Sequence, residues 1–191
     1  MLELPSIRLV ALFVLLVGCA QETAKPTNKI LTGAKLQLAR PAIYTPGYFR
    51  IPFPGGDLPA DKGVCTDVVV RALRHAGIDL QQRIHDDMKR RFGTYPRRES
   101  QPDKNIDHRR VPNQIHWLKK FAAAEPLDRD WQPGDLVYWK LPSGLDHCGV
   151  VSDTRGASRS PLVIHNIWQT AEEDVLTKWK IVGHFRLNFR K

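Results

Sequence analysis

Three short segments carry the side chains of this 191-residue chain with the most chemistry to offer. They are GVCTDVVVRAL around Cys65, LDHCGVVSD around His147 and LVIHNI around His165. Cys65 opens a predicted helix, where unpaired N–H groups and the positive end of the helix dipole favour a thiolate over a thiol. A thiolate is the form that attacks a carbonyl carbon. His147 stands at the mouth of a predicted strand, a rigid yet open place for a general base. His165 falls on the next predicted strand, after a Gly/Ser/Pro-bearing connection, where an antiparallel neighbour can reach the far nitrogen of His147 and fix its tautomer. Nucleophile, base and orienter are therefore expected at Cys65, His147 and His165.

Each residue taken singly has a plainer reading. A free cysteine is often a small buried apolar residue, and a histidine on a strand is often only hydrogen-bonded. Asp67, in the first turn of the same helix, stabilises the helix but pushes the Cys65 thiol the wrong way by like charge, so an imidazolium partner must outweigh it. Side chains alternate across a strand, so only one of His165 and Asn166 faces the site. Asn166 is the alternative orienter and otherwise a substrate-binding group. By the same alternation, if His147 points at Cys65, Cys148 points away from it as a buried, inert, free thiol. Zinc bound by Cys65, His147 and His165 has suitable ligand types but lacks compact motif spacing.

The elements that must position these groups follow from periodicity. Thr66 to about Ala76 has apolar residues at 68, 69, 72, 73 and 76, the recurrence of an amphipathic helix ended by Gly77. A second helix is expected from Asn113 to Ala124, with Ile115, Leu118 and Phe121 on one face. Beyond it, Asp135–Lys140, Cys148–Asp153, Leu162–Ile167 and Ile181–Leu187 read as strands separated by turn residues. Helices first and strands after them predict an α+β domain, N-terminal helices packed on an antiparallel sheet. Between Met88 and Arg110 the chain is strongly basic, and Gly93, Pro96 and Pro102 argue against a continuous helix there. A solvated loop is the plain reading of such a run. Within it, Arg109 and Arg110 are dense enough to clamp a substrate carboxylate, since guanidinium forks bind such groups bidentately.

The amino terminus sets the compartment. LVALFVLLVG after Arg8 suits a signal-peptide core and is too short for the ~20 residues of a spanning helix. Leu16-Val17-Gly18-Cys19 resembles a bacterial lipobox. That resemblance implies removal of residues 1–18, lipidation of Cys19 and, with Ala20 beside it, sorting to the outer membrane. A plain secretory signal with an incidental Cys19 is the alternative, and either one places the protein outside the cytoplasm. Residues 19–40 read as a membrane tether and 41–191 as a single domain. The net charge of +9 in that compartment points to anionic envelope material and away from nucleic acid.

A family resemblance lies on top of these readings. Tyr48 to Gly56, then Cys65, then Arg71 to Leu80, resemble the opening of NlpC-type cell-wall cysteine peptidases. Trp131-Gln132-Pro133-Gly134-Asp135-Leu136-Val137 resembles that family's Pro-Gly-Asp-Leu-Val strand, and His147-Cys148-Gly149-Val150-Val151 and Val163-Ile164-His165 resemble its histidine strands. From about Tyr44 to Arg186 the chain resembles the YijF-like bacterial family, a domain of unknown function within that papain-like superfamily. The resemblance implies a papain-like fold, Cys65 as nucleophile, His147 as base, His165 as third residue, and neither metal nor cofactor. It implies hydrolysis of an amide bond, with peptidoglycan stem peptides as the substrate class. Val64-Cys65-Thr66 stands where that family usually has Asp-Cys-Ser. A non-catalytic wall-binding or scaffolding lipoprotein that keeps the fold is the alternative. Partners beyond the envelope substrate and the lipid-anchored membrane, and the oligomeric state, are not legible.

Overall fold

Asn28 starts a helix inside the segment expected to be tether. Its side-chain oxygen accepts from the backbone N–H groups of Ile30 and Leu31 at 3.1 and 3.2 Å, two of the donors that a helix start leaves unpaired. Helix α1 follows over Lys29–Lys35. Ile30 and Ala34 are buried, and Gly33 permits a close helix contact, since a Cβ there would sit 2.5 Å from the Cβ of His75. The part of the expected 19–40 tether from Asn28 onward therefore belongs to the domain, which begins upstream of residue 41. Two helical turns are too short a window for the apolar period to stand out in sequence. The computed structural model describes residues 28–96 and 100–187. The expected signal segment 1–18 and the expected lipidation site Cys19 lie outside the described residues.

After a short parallel pair, β1 (Ile43–Tyr44) and β2 (Lys62–Gly63), comes α2 over Cys65–His75. It is the predicted helix, starting on the thiol itself. Helix α3 (Leu80–Arg91) was not expected, because its charged surface hides a buried row of Leu80, Ile84 and Met88. Asp79 caps it by accepting the N–H of Gln82 at 3.3 Å. A 3₁₀ turn at Asp107–Arg109 leads into α4 (Val111–Phe121), where Pro112 sits in the first turn.

The remaining elements build one six-stranded sheet. Strands β3 (Ala123–Ala124), β4 (Leu136–Lys140), β5 (Asp146–Arg155), β6 (Pro161–Asn166), β7 (Thr170–Glu173) and β8 (Lys180–Arg186) are ordered β3-β8-β4-β5-β6-β7. All of its pairings are antiparallel. Both faces are covered, which is why the strands read as continuous apolar runs. On one face Tyr138, Cys148, Val150, Ile164 and Phe185 pack against the helices. On the other, Val137, Trp139, Val151 and Val163 are covered by Val175 and Leu176 from the β7–β8 connection. The result is the expected α+β architecture, with N-terminal helices on an antiparallel sheet.

Asp135, of the Pro-Gly-Asp segment, has a purely architectural use. Buried before β4, it receives Arg186 through two nitrogens at 2.8 and 2.7 Å and lies 2.7 Å from His184 Nε2, so it fixes β8 beside β4. Gly134 makes the preceding turn with φ of 87°, a left-handed conformation open to glycine at no steric cost.

Candidate active site

The start of α2 is capped from inside the helix. Val64, in extended conformation at the N-cap, has no side-chain acceptor. Asp67 serves instead, accepting the Val64 N–H on Oδ2 at 2.8 Å. Its carboxylate also takes a bidentate fork from Arg109, at 2.8 Å to Oδ1 and 3.0 Å to Oδ2, with both side chains buried. The like charge that sequence places beside Cys65 is thereby neutralised. Thr66 Oγ1 donates to the Arg109 carbonyl at 3.0 Å, so the 3₁₀ turn and the helix start are bound together at two points.

Arg109 and Asn166 correct the expected substrate contacts. The Arg109 guanidinium is spent on Asp67, on the Gly47 carbonyl at 3.1 Å and on the face of Phe49, so its fork is closed inside the protein. Asn166 is fully buried and donates to the Ala42 carbonyl at 2.9 Å, anchoring the chain before β1. Arg110 lines the groove beside Cys65. The basic run is thus partly built into the core, because Asp107, His108 and Arg109 are all buried.

Cys65 lies at the base of a groove of about 410 Å³, beside Tyr44, Thr66, Leu145 and Asp146. Its thiol is held down at about 5, first by a hydrogen bond from the Cys148 thiol and then by the hydrogen bond and charge of His147, against the opposing effect of burial. Burial raises the Cys148 thiol, and its hydrogen bond to Cys65 raises it further. Cys65 is therefore the anionic member of the pair. Both cysteines are free. Tyr44, which lines the same groove, is raised by burial and then by the charge of Cys65.

Strand alternation holds, but with an outcome other than the expected one. Cys148 lies on the helix-facing side of β5 and meets Cys65 there. His147, one residue earlier, packs on the opposite side, stacked on Trp139 with ring centroids 5.7 Å apart and edge-on to Trp179. It still lowers the Cys65 thiol, because Cys65 lines a groove with Leu145 and Asp146 at the beginning of β5, where the sheet no longer separates the two faces.

His147 Nε2 lies 2.9 Å from His165 Nδ1, which leaves Nδ1 as the His147 nitrogen for the sulfur. His165 is on β6 opposite Gly149. Burial, followed by the charges of His147 and Lys178, pushes its pKa down to about 3, so it is neutral over the physiological range. Glu173 Oε2 stands 2.9 Å from His165 Nε2, out of line with the ring N–H, so the contact is close but not a well-formed hydrogen bond. Cys65, His147 and His165 are thus brought together, and Glu173 stands behind them. Sequence reasoning missed Glu173, Tyr44, Trp139 and Trp179. Nothing in the polar Thr-Ala-Glu-Glu run of β7 marks it as a strand facing the site. Among the described residues no group of three or more His, Cys, Asp or Glu side chains could hold a metal ion.

A thiolate at a helix start, a histidine on it and a second, neutral histidine behind can carry out nucleophilic attack with proton transfer. These three side chains lie where an antiparallel sheet meets N-terminal helices, and the class of domain is α+β. The family model for the domain of unknown function DUF1287 matches residues 31–187, and the chain belongs to that family. It is also 47% identical over 172 residues to the uncharacterized protein YijF of Escherichia coli strain K12, a similarity that covers 87% of this chain and 84% of that one.

Proposed function

We propose that this protein is a papain-like cysteine hydrolase of the NlpC type that cleaves an amide bond in peptidoglycan stem peptides. The observation that carries the reading is Cys65 on the wall of a groove, its thiol pKa lowered in part by His147, whose Nε2 is 2.9 Å from His165 Nδ1. The sulfur attacks the scissile carbonyl carbon, and the oxygen that becomes anionic is met by the Cys65 backbone N–H at the helix start. His147 gives its proton to the leaving amine, and a thioester remains. Water then loses a proton to His147 and attacks the thioester, which releases the new carboxylate and restores the thiolate. His165 holds the His147 ring throughout.

The groove volume suits a short peptide segment. Arg109 and Arg110 both line the groove, and their positive charge suits a stem-peptide carboxylate. The lipobox-like Leu16-Val17-Gly18-Cys19 supports a periplasmic site of action with an outer-membrane anchor through Cys19, where a chain of net charge +9 would meet the anionic wall. Digestion of defined muropeptides with mass readout tests the reading. New peptide termini from the native chain and none from Cys65→Ala are expected. Absence of any cleaved bond across a complete set of stem peptides would overturn it.

A further inference from the structure

The cluster contains one reactive-type side chain that hydrolysis does not need. Cys148 is completely buried and free, lies in the same core cluster as Cys65 where α2 packs on β5, and is raised by the charge of Cys65. Packing alone would be satisfied by valine or alanine at this place among Val68, Val69 and Ile164. The geometry of the two thiols is also unequal. Cys65 lines the open groove, whereas Cys148 has no exposed surface and can react only with a partner already inside the protein.

We propose that Cys65 and Cys148 form an oxidative modification site, in which a hydroperoxide oxidises Cys65 and Cys148 resolves the product as an intramolecular disulfide. The Cys65 thiolate attacks the distal oxygen of the hydroperoxide. The O–O bond breaks, Cys65 becomes a sulfenic acid, and the departing alkoxide or hydroxide takes a proton from His147. Cys148 then attacks the Cys65 sulfur, the S–O bond breaks, and the hydroxide leaves with the Cys148 proton as water. Two thiols and one hydroperoxide give one disulfide, one alcohol or water, and one further water. An external dithiol returns both cysteines to the thiol state by exchange at Cys65, the sulfur that the groove exposes.

Three features favour this sequence. The thiolate character of Cys65 directs the oxidant to it. The place of both thiols in one core cluster, at the start of α2 and on β5, puts the resolving thiol near the sulfenic acid before a second oxidant molecule arrives. Closure to an S–S bond of roughly 2 Å runs across the interface where α2 packs on β5. The disulfide blocks the nucleophile, yet it protects Cys65 from the irreversible sulfinic and sulfonic stages.

The inference extends the hydrolase reading but does not depend on cleavage of any substrate. The full-length chain, reduced and freed of reductant, is titrated with hydrogen peroxide and mapped without reduction by mass spectrometry, while labelling of Cys65 by iodoacetamide is followed in parallel. A Cys65–Cys148 linked peptide should appear as labelling is lost, and dithiothreitol should reverse both. In Cys148→Ala, the same peroxide should carry Cys65 to sulfinic and sulfonic acids that dithiothreitol does not recover. Over-oxidation of native Cys65 with no linked peptide, or a link to Cys19 instead, would overturn the proposal, and the native map decides this even if the variant fails to fold. A protein that cleaves no muropeptide but closes this disulfide would sink the hydrolase reading and leave this one standing.

Discussion

His147 Nε2 and His165 Nδ1 are 2.9 Å apart, so the tautomer of one ring dictates that of the other. His165 is neutral, with its pKa pushed down to about 3 by burial first, so it has a single N–H. If His147 is to hold a proton toward Cys65 and keep its orientation, it donates from Nε2, and His165 Nδ1 accepts. The remaining proton of His165 is then on Nε2, next to the Glu173 carboxylate.

This assignment ranks the three side chains. Cys65→Ala should abolish hydrolysis, because His147 alone offers no nucleophile. His147→Ala should lower kcat roughly 10²–10⁴-fold, the usual worth of general acid–base catalysis. His165→Ala should cost less, since it only orients. Steady-state kinetics on a cleaved muropeptide provides the check, and a His165→Ala defect larger than that of His147→Ala would reverse the two roles.

Glu173 should matter through the tautomer of His165. Glu173→Leu allows the His165 proton to move to Nδ1, where it opposes the Nε2–H of His147. We expect kcat to fall on the order of tenfold with KM unchanged, well short of the loss when a direct triad partner is altered. Glu173→Gln keeps an acceptor and should recover most of the activity. Nitrogen-15 chemical shifts of His165 give a readout that a merely structural role would not move: Nε2 protonated in the native chain, and a mixed population in Glu173→Leu.

The thiolate should be visible in the pH dependence of alkylation. With its pKa near 5, against about 8.5 for an ordinary thiol, Cys65 should react with iodoacetamide at a rate that is flat at neutral pH and falls as pH drops through about 5. Cys148→Ala removes the largest stabilising contact and should move that midpoint upward. The same depression is a stability effect: the folded state favours the anion, so the contribution is complete above about pH 8.5 and is lost as pH falls through about 5. Melting temperatures of the native chain and of Cys65→Ala should therefore differ in their pH slope over that window. Identical slopes, with a midpoint near 8.5, would mean that the sulfur is not activated.

The parts of this site that were legible in sequence are those carried by local pattern. Cys65 at a helix start and His147 and His165 on neighbouring strands follow from periodicities of 3.6 and 2 and from turn residues. Pairings between distant segments were not legible. Arg109 meets Asp67 across 42 positions, and nothing local says that a guanidinium in a basic run is turned inward. Helix α3 was hidden because its three buried apolar residues, Leu80, Ile84 and Met88, are outnumbered by charged ones. Cys148 was assigned to the wrong face because alternation along β5 was combined with the assumption that Cys65 sits over one face, whereas it stands at the strand's beginning.

The Arg109–Asp67 pair gives the sharpest test of that inward turn. Both side chains are buried, so removing one leaves the other as an uncompensated charge, a change that typically costs on the order of 3–5 kcal/mol. Arg109→Gln should lower the unfolding free energy by about that amount in urea. It should also weaken Cys65 activation, since a bare Asp67 carboxylate one turn into α2 opposes the thiolate. Asp67→Asn together with Arg109→Gln removes both charges and should recover much of the stability. Arg110→Gln, at the groove wall, should instead raise KM for a carboxylate-bearing muropeptide and leave the urea midpoint close to the native value. If Arg109→Gln changes KM alone and unfolds like the native chain, the guanidinium is a substrate clamp after all and its link to Asp67 contributes nothing to the fold.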